Sequence, residues 1–200
     1  VVGLTVFSAL EGFVLLAVPL YILMSQILLS GKVGDNLFSV MNVWVRHFPG
    51  GLATATILAC AFFAAITGSG AATAATIGMV AFPAMISRGY DRSFTLGLLA
   101  AGGTLGILIP PSVVLVIYAI LTEQNLAKLF LAAFVPGLLA AVGYMIVIAV
   151  YARLKPGEVG SMSPMPMKER WAATVKVWPV LVIFISVVGG IYTGLFTPTE

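Results

Sequence analysis

An all-α integral membrane fold is the class this sequence predicts, on three observations. Of 200 residues, 60 % are apolar and 8 % charged, with a mean hydropathy of +1.12, where a soluble domain carries about a quarter charged residues. The apolar residues gather into runs on the scale of a membrane span, about 20 residues each. Glycine- and proline-rich stretches interrupt those runs from within. A chain this apolar cannot cover itself with polar surface, so lipid is its natural solvent. The net charge of +3 forms no basic stripe interleaved with aromatics, which argues against nucleic acid as a partner. The single cysteine, Cys60, sits in an apolar run, so there is no disulfide framework.

The runs follow in order. Residues 1–30 form a spanning helix with a kink at Pro19. Residues 31–49 open on a Gly/Lys/Asp/Asn break and continue as an amphipathic stretch ending in Trp44, Arg46, His47 and Phe48, which reads as an interfacial helix. Residues 50–125 hold two interruptions. Runs 51–66 and 73–87 are each about 24 Å long at about 1.5 Å per residue, short of the ~30 Å hydrocarbon core. They are joined by Thr67-Gly68-Ser69-Gly70-Ala71-Ala72. Two short helices with a Gly/Ser tip suggest a re-entrant hairpin over 50–87; two tilted spans are the plainer alternative. The long run 93–122 is broken near its middle by Gly102-Gly103-Thr104-Leu105-Gly106-Ile107-Leu108-Ile109-Pro110-Pro111-Ser112. A span over 126–152, a hydrophilic loop over 153–172 and a last span over 173–200 complete the chain. The ending at Thr197-Pro198-Thr199-Glu200 reads as that of a fragment.

Charge orients this topology. Lys32, Arg46, Arg88, Arg92, Arg153, Lys155, Lys168, Arg170 and Lys176 fall on one side, and only Lys128 falls opposite. Basic loops stay in the cytoplasm, so the hairpin base and the 153–172 loop should be cytoplasmic.

The break carries the chemistry. A proline has no N–H to offer the carbonyl four residues back, so Pro110 frees the Gly106 carbonyl and Pro111 frees that of Ile107. A bare carbonyl in hydrocarbon costs several kcal/mol. Carbonyls and hydroxyls together are hard-oxygen ligands for a small cation such as Na⁺. The hydroxyls on offer are Thr104 and Ser112 here, and Thr67, Ser69 and Thr73 at the hairpin tip. Broken helices also aim N-terminal amides at the membrane centre, which suits an anion. Those ends would be 72–75 and the turn after Pro111. A Pro-Pro kink with a purely structural role is the competing reading.

At these residues the chain resembles a known family. Segments 66–75 and 103–112, with Ala17-Val18-Pro19-Leu20-Tyr21-Ile22-Leu23, Pro83-Ala84-Met85, Gly89-Tyr90, Pro136-Gly137 and 194–200, are similar to the N-terminal half of the large membrane (M) subunit of TRAP (tripartite ATP-independent periplasmic) transporters. The resemblance implies an elevator-type transporter half with a re-entrant helical hairpin and a discontinuous transmembrane helix. A moving transport part, 50–125, would work against a scaffold that includes the first helix. A second hairpin and a second broken helix would follow in a protein about twice this length. Implied with it are a bacterial inner-membrane location, sodium as coupling ion without other cofactors, and an organic-anion substrate such as a C4-dicarboxylate or sialic acid. A small TRAP membrane subunit and a periplasmic substrate-binding protein are the implied partners. The ion site then draws on Thr67, Gly68, Ser69, Gly70, Thr104, Gly106 and Ile107. The substrate site draws on Ala71, Thr73, Pro110, Pro111 and Ser112.

Other residues carry less. Glu11 suits an interfacial position, His47 a headgroup-facing one, and Trp44, Trp171 and Trp178 the aromatic belt. Gly68-Ser69-Gly70 is not a P-loop, for no Gly-Lys-Ser/Thr follows. One histidine, one cysteine and no close acidic pair argue against an enzyme. An ion-coupled carboxylate carrier that needs no binding protein is the remaining carrier reading.

Overall fold

The computed structural model describes residues 13–48, 50–159, 166–175, 177–193 and 195, and they are helical throughout apart from turns. The helices are α1 Phe13–Ser30, α2 Val33–Val45, α3 Gly51–Thr67, α4 Gly70–Ile86, α5 Arg92–Leu108, α6 Val113–Thr122, α7 Leu126–Leu154, α8 Met167–Val175 and α9 Trp178–Thr193, with a 3-10 turn at Pro156–Glu158. Glu11, the segment 196–200 and the middle of the 153–172 loop lie outside the described residues.

Two boundaries differ from the sequence expectation. The break expected over 31–36 shrinks to Gly31 and Lys32, because Lys32 adopts a left-handed conformation, φ 55°, and reverses the chain in two residues. The chain is helical again from Val33. Rather than standing apart, α2 lies along α3 and α4 with Leu37, Phe38 and Val40 buried. Gly34 approaches Thr76 so closely that a Cβ there would lie 2.5 Å from the Thr76 methyl. The last run is likewise divided: α8 closes with the Val177 N–H on the Thr174 carbonyl at 3.1 Å, and α9 restarts at Trp178. Pro179 fits the first turn of a helix and offers no N–H to the Val175 carbonyl four residues back.

The hairpin α3/α4 and the broken pair α5/α6 make the core. α3 is almost wholly buried: Leu52, Ala53, Ile57, Ala59, Cys60, Phe63 and Ala64 are at most 1 % exposed. α4 returns antiparallel, with the Thr56 hydroxyl on the Met85 sulfur at 3.6 Å. α7, the one described helix long and apolar enough to cross a membrane by itself, packs along α5 and α3. α5 and α6 qualify only together, bent by 42° at the break.

One end of this bundle is tied by side chains. Asp91 caps α5, accepting from the Phe94 N–H at 2.8 Å, and its own N–H reaches the Glu158 carbonyl at 3.3 Å. The rings of Tyr90, Phe94 and Tyr151 lie in sequence, with centroids 6.5 and 4.3 Å apart. The Tyr151 hydroxyl donates to the Glu158 carboxylate, and Lys155 Nζ pairs with Glu158 Oε1 at 2.8 Å. The Lys155 ammonium and then the Tyr151 hydroxyl hold the Glu158 carboxyl below the usual carboxylate range. Glu158 in turn raises Lys155. A depressed acid keeps its contribution above its unfolded value and loses it only as pH falls through the lowered one; a raised lysine loses its own only as pH climbs past the raised value. The pair therefore stays charged across neutral pH, though an exposed pair adds little energy. Arg88, Arg92, Arg153 and Lys155 gather at this end. Lys128 sits roughly 37 Å away along α7, at about 1.5 Å per residue.

The crossing of α3 and α5 yields the first prediction. A Cβ on Gly102 would lie 2.7 Å from Cys60 Sγ, whereas one on Gly97 meets nothing within 4 Å. In the purified full-length protein, Gly102→Ala should cost about 1–3 kcal/mol by overpacking. Gly97→Ala should be neutral or stabilise by up to about 1 kcal/mol. Thermal unfolding in detergent measures both, and equal midpoints for the two variants would contradict this packing.

Candidate functional site

The hairpin tip and the break in α5/α6 are in main-chain contact. Gly68 ends α3 in the left-handed region, φ 62°, where a glycine has no steric penalty. Its N–H donates to the Ala64 carbonyl at 2.8 Å, and its carbonyl accepts from the Val113 N–H at 3.2 Å. A Cβ at Gly68 would lie 2.6 Å from the Pro111 oxygen. Two residues on, a Cβ at Gly70 would lie 2.5 Å from the Gly103 oxygen, and one at Gly106 would lie 2.6 Å from the Gly70 nitrogen. Small residues are what allow helices to touch at this range.

The break itself follows from its prolines. The Ile109 N–H still reaches the Leu105 carbonyl at 2.8 Å; the next two residues have no N–H, so the carbonyls of Gly106 and Ile107 lose their helical donors. Pro110 and Pro111 are buried and joined by a cis peptide bond. Ser112 then opens α6 in an extended conformation, and its side chain caps nothing. Its buried Oγ has no hydrogen-bond partner among the described residues.

Hydroxyl protons are scarce at the tip. Thr67 Oγ1 lies 3.0 Å from the Phe63 oxygen, Thr73 Oγ1 lies 2.8 Å from the Ser69 oxygen, and the two hydroxyls are 3.4 Å apart. Two protons serve three contacts, since a hydroxyl donates once. With each proton on its nearer carbonyl, the two threonine oxygens face each other with lone pairs only. Together with the freed carbonyls, this is an excess of oxygen acceptors in an apolar setting, to which Ser112 adds a hydroxyl that can accept or donate. Carbonyl and hydroxyl oxygens are the ligand type that hard cations take, unlike the thiolates and imidazoles that softer metals prefer.

A cavity of about 610 Å³ opens in front of this wall, lined by Thr67, Gly68, Ser69, Gly70, Ala71, Thr104 and Ile107 among others. Thr73, Gly106, Pro110, Pro111 and Ser112 are buried beyond its lining. The first turns of α4 and α6 both reach the cavity, at Gly70–Ala72 and at Val113–Val114. Ser69 caps α4 weakly, accepting from the Ala72 N–H at 3.4 Å. Two helix N-termini on one cavity favour negative charge there. Thr104 reaches the cavity edge, but its hydroxyl is engaged with Ala101 and, across to α7, with Tyr144.

Two residues escaped the sequence reading. Gln26 of α1 lines the same cavity as the tip; its signal was a carboxamide inside an apolar run, where polar groups carry a cost. Tyr144 gave no signal, because its partner is 40 residues away.

The whole chain, residues 1–200, matches the family model described as "Tripartite ATP-independent periplasmic transporter, DctM component". It is 41 % identical over 99 % of its length to the C4-dicarboxylate TRAP transporter large permease protein DctM of Pseudomonas aeruginosa. It is 40 % identical over 100 % of its length to the protein of that name from Vibrio cholerae. It is 33 % identical over 96 % of its length to the sialic acid TRAP transporter permease protein SiaT of Haemophilus influenzae. The chain covers 46 %, 44 % and 31 % of these three proteins, respectively. These are permeases by name, not enzymes. With the match running from the first residue to the last and across both interrupted segments, the chain belongs to the DctM component family of tripartite ATP-independent periplasmic transporters.

Proposed function

We propose that this chain forms part of the inner-membrane, multi-pass permease of a TRAP system, which takes up an organic anion by sodium symport. The observation that carries this reading is the meeting of the tip and the break, with an excess of oxygen acceptors behind two helix N-termini. Acceptors such as the Thr67–Thr73 pair, Ser112 Oγ and the carbonyls of Gly106 and Ile107 suit Na⁺. The cavity in front, with the amides of the first turns of α4 and α6, suits a carboxylate. The relatives' names supply the substrate classes, a C4-dicarboxylate first and sialic acid second. A periplasmic binding protein would deliver the anion, and a small membrane subunit would brace the permease.

The hairpin is re-entrant on this reading. Each of its helices has 17 residues, about 25 Å at about 1.5 Å per residue, and the tip ends level with the break while α6 carries the chain onward. The tied end with its arginines and lysines would be cytoplasmic. Tip and break would move together as the transport part of an elevator, because main-chain contacts at this range leave no room for sliding.

The test is uptake by the full-length protein reconstituted in vesicles with its small subunit and binding protein. Labelled succinate, then N-acetylneuraminate, is supplied with and without an inward sodium gradient. Sodium-dependent, binding-protein-dependent uptake is expected. Uptake of neither substrate, or uptake indifferent to sodium, would overturn the reading, and uptake without the binding protein would point to a carrier of the simpler kind.

Two predictions come from the geometry. In a Cys60→Ala background, Ser69→Cys and Ile107→Cys together should cross-link, and sodium should slow their reaction with thiol reagents. An uncross-linked pair indifferent to sodium would count against the site. Gly68→Ala forces a Cβ against the Pro111 oxygen and should lower uptake by about ten- to a hundredfold, as misplacement of a binding group does. Ser112→Ala, which removes one unpartnered hydroxyl and leaves the backbone unchanged, should raise the half-saturating sodium concentration by about three- to tenfold.

A further inference from the structure

Thr104 faces the cavity with its hydroxyl already held on two sides. Its Oγ1 lies 2.7 Å from the Ala101 carbonyl and 2.8 Å from the hydroxyl of Tyr144 on α7. A carbonyl oxygen can only accept, so the single Thr104 proton goes to Ala101. Tyr144 must then be the donor in the second contact. A hydroxyl oxygen has two lone pairs, and Tyr144 takes one of them. One lone pair is left, its direction fixed by the other two bonds.

The helix that carries Tyr144 is seated against the same break at a second point. Two turns away, Gly137 is buried on α7, and a Cβ there would lie 3.0 Å from Ile109 Cγ1 and 3.1 Å from the Leu108 oxygen. α7 thus touches the end of α5 through backbone at one level and through a hydroxyl pair at the other. Tyr144 itself does not line the cavity.

We propose that Tyr144 is a positioning residue for the cation side of the site: by donating to Thr104 it fixes the remaining Thr104 lone pair at the cavity edge, where it meets a positive ion held against the cavity wall. A lone pair attracts a cation and repels a carboxylate, so the effect should fall on sodium and not on the anion. This rests on the sodium-coupled reading given above.

The experiment is sodium-dependent succinate uptake by the full-length, reconstituted transporter, with sodium titrated at saturating succinate and succinate titrated at saturating sodium. Tyr144→Phe removes the donor and keeps the ring. It should raise the half-saturating sodium concentration by about three- to tenfold and change the maximal rate and the succinate KM far less. Thr104→Val should raise the half-saturating sodium concentration at least as far, Thr104→Ser should restore most of the lost sodium affinity, and Tyr144→Phe should add nothing in a Thr104→Val background. If Tyr144→Phe leaves sodium affinity unchanged, or shifts it as much again in that background, the inference fails while the transport reading stands. Sodium-independent uptake by the wild type would remove the transport reading itself. Should Tyr144→Phe not fold, the Thr104 pair decides: a Thr104→Val protein with unaltered sodium affinity overturns the proposal.

Discussion

The close approach of main chain at 68–70 to main chain at 103–113 is the contact on which the rest of this structure depends. Either interruption alone would be expensive in an apolar medium, because a helix end exposes N–H and C=O groups that lipid cannot satisfy. Here the two ends partly satisfy each other: the Gly68 carbonyl takes the Val113 N–H, and glycines at 68, 70, 103 and 106 let the backbones come within reach. The exchange is incomplete. What remains unmatched behind the cavity is mostly acceptors, with the Ser112 hydroxyl able both to donate and to accept, and an acceptor surplus in low dielectric is a standing demand for positive charge.

Helix length brings the two interruptions to the same level. α3, α4 and α5 each have 17 residues, and all three share one tied end, where Asp91, Glu158 and the ring series of Tyr90, Phe94 and Tyr151 join the start of α5 to the end of α7. Equal lengths counted from a common base bring the tip and the break to equal height. The exposed Lys155–Glu158 pair adds little to stability in its own right; its place at the base is what matters to the register above it. A residue added to α4 or α5 would turn the glycine contacts by about 100° and lift them by about 1.5 Å, which their spacing does not tolerate.

Much of this was legible in the sequence because its causes are local. Gly68-Ser69-Gly70 between two sub-span apolar runs is a turn between short helices, and Pro110-Pro111 inside a run removes two successive helical N–H donors. The failures are long-range. Nothing near Thr104 says that its hydroxyl is shared with Tyr144, and nothing near Gln26 says that it shares a cavity with the tip. The early restart of helix at Val33 depends on Lys32 accepting a left-handed conformation, an uncommon choice for a non-glycine residue, and on Gly34 finding a seat against Thr76. Short-range chemistry placed the interruptions; only the packed structure shows which groups at them remain unsatisfied.

The division of the site into two chemical halves has a thermodynamic consequence on the proposed reading. Acceptors lie along and behind the cavity wall and helix N-termini open onto the cavity, so a cation at the wall and an anion in the cavity would be held close together by the same few residues. Two opposite unit charges about 6 Å apart, at an effective dielectric near 20, attract by roughly 3 kcal/mol. That corresponds to about a hundredfold in affinity. Such coupling is reciprocal: sodium raises the affinity for the carboxylate by the factor by which the carboxylate raises that for sodium. Neither half is suited to holding its ligand well alone, because one presents bare lone pairs and the other bare amide dipoles to an apolar surround. The joint occupancy that symport requires would then follow from placing both interruptions at one height, with no further linkage between distant sites.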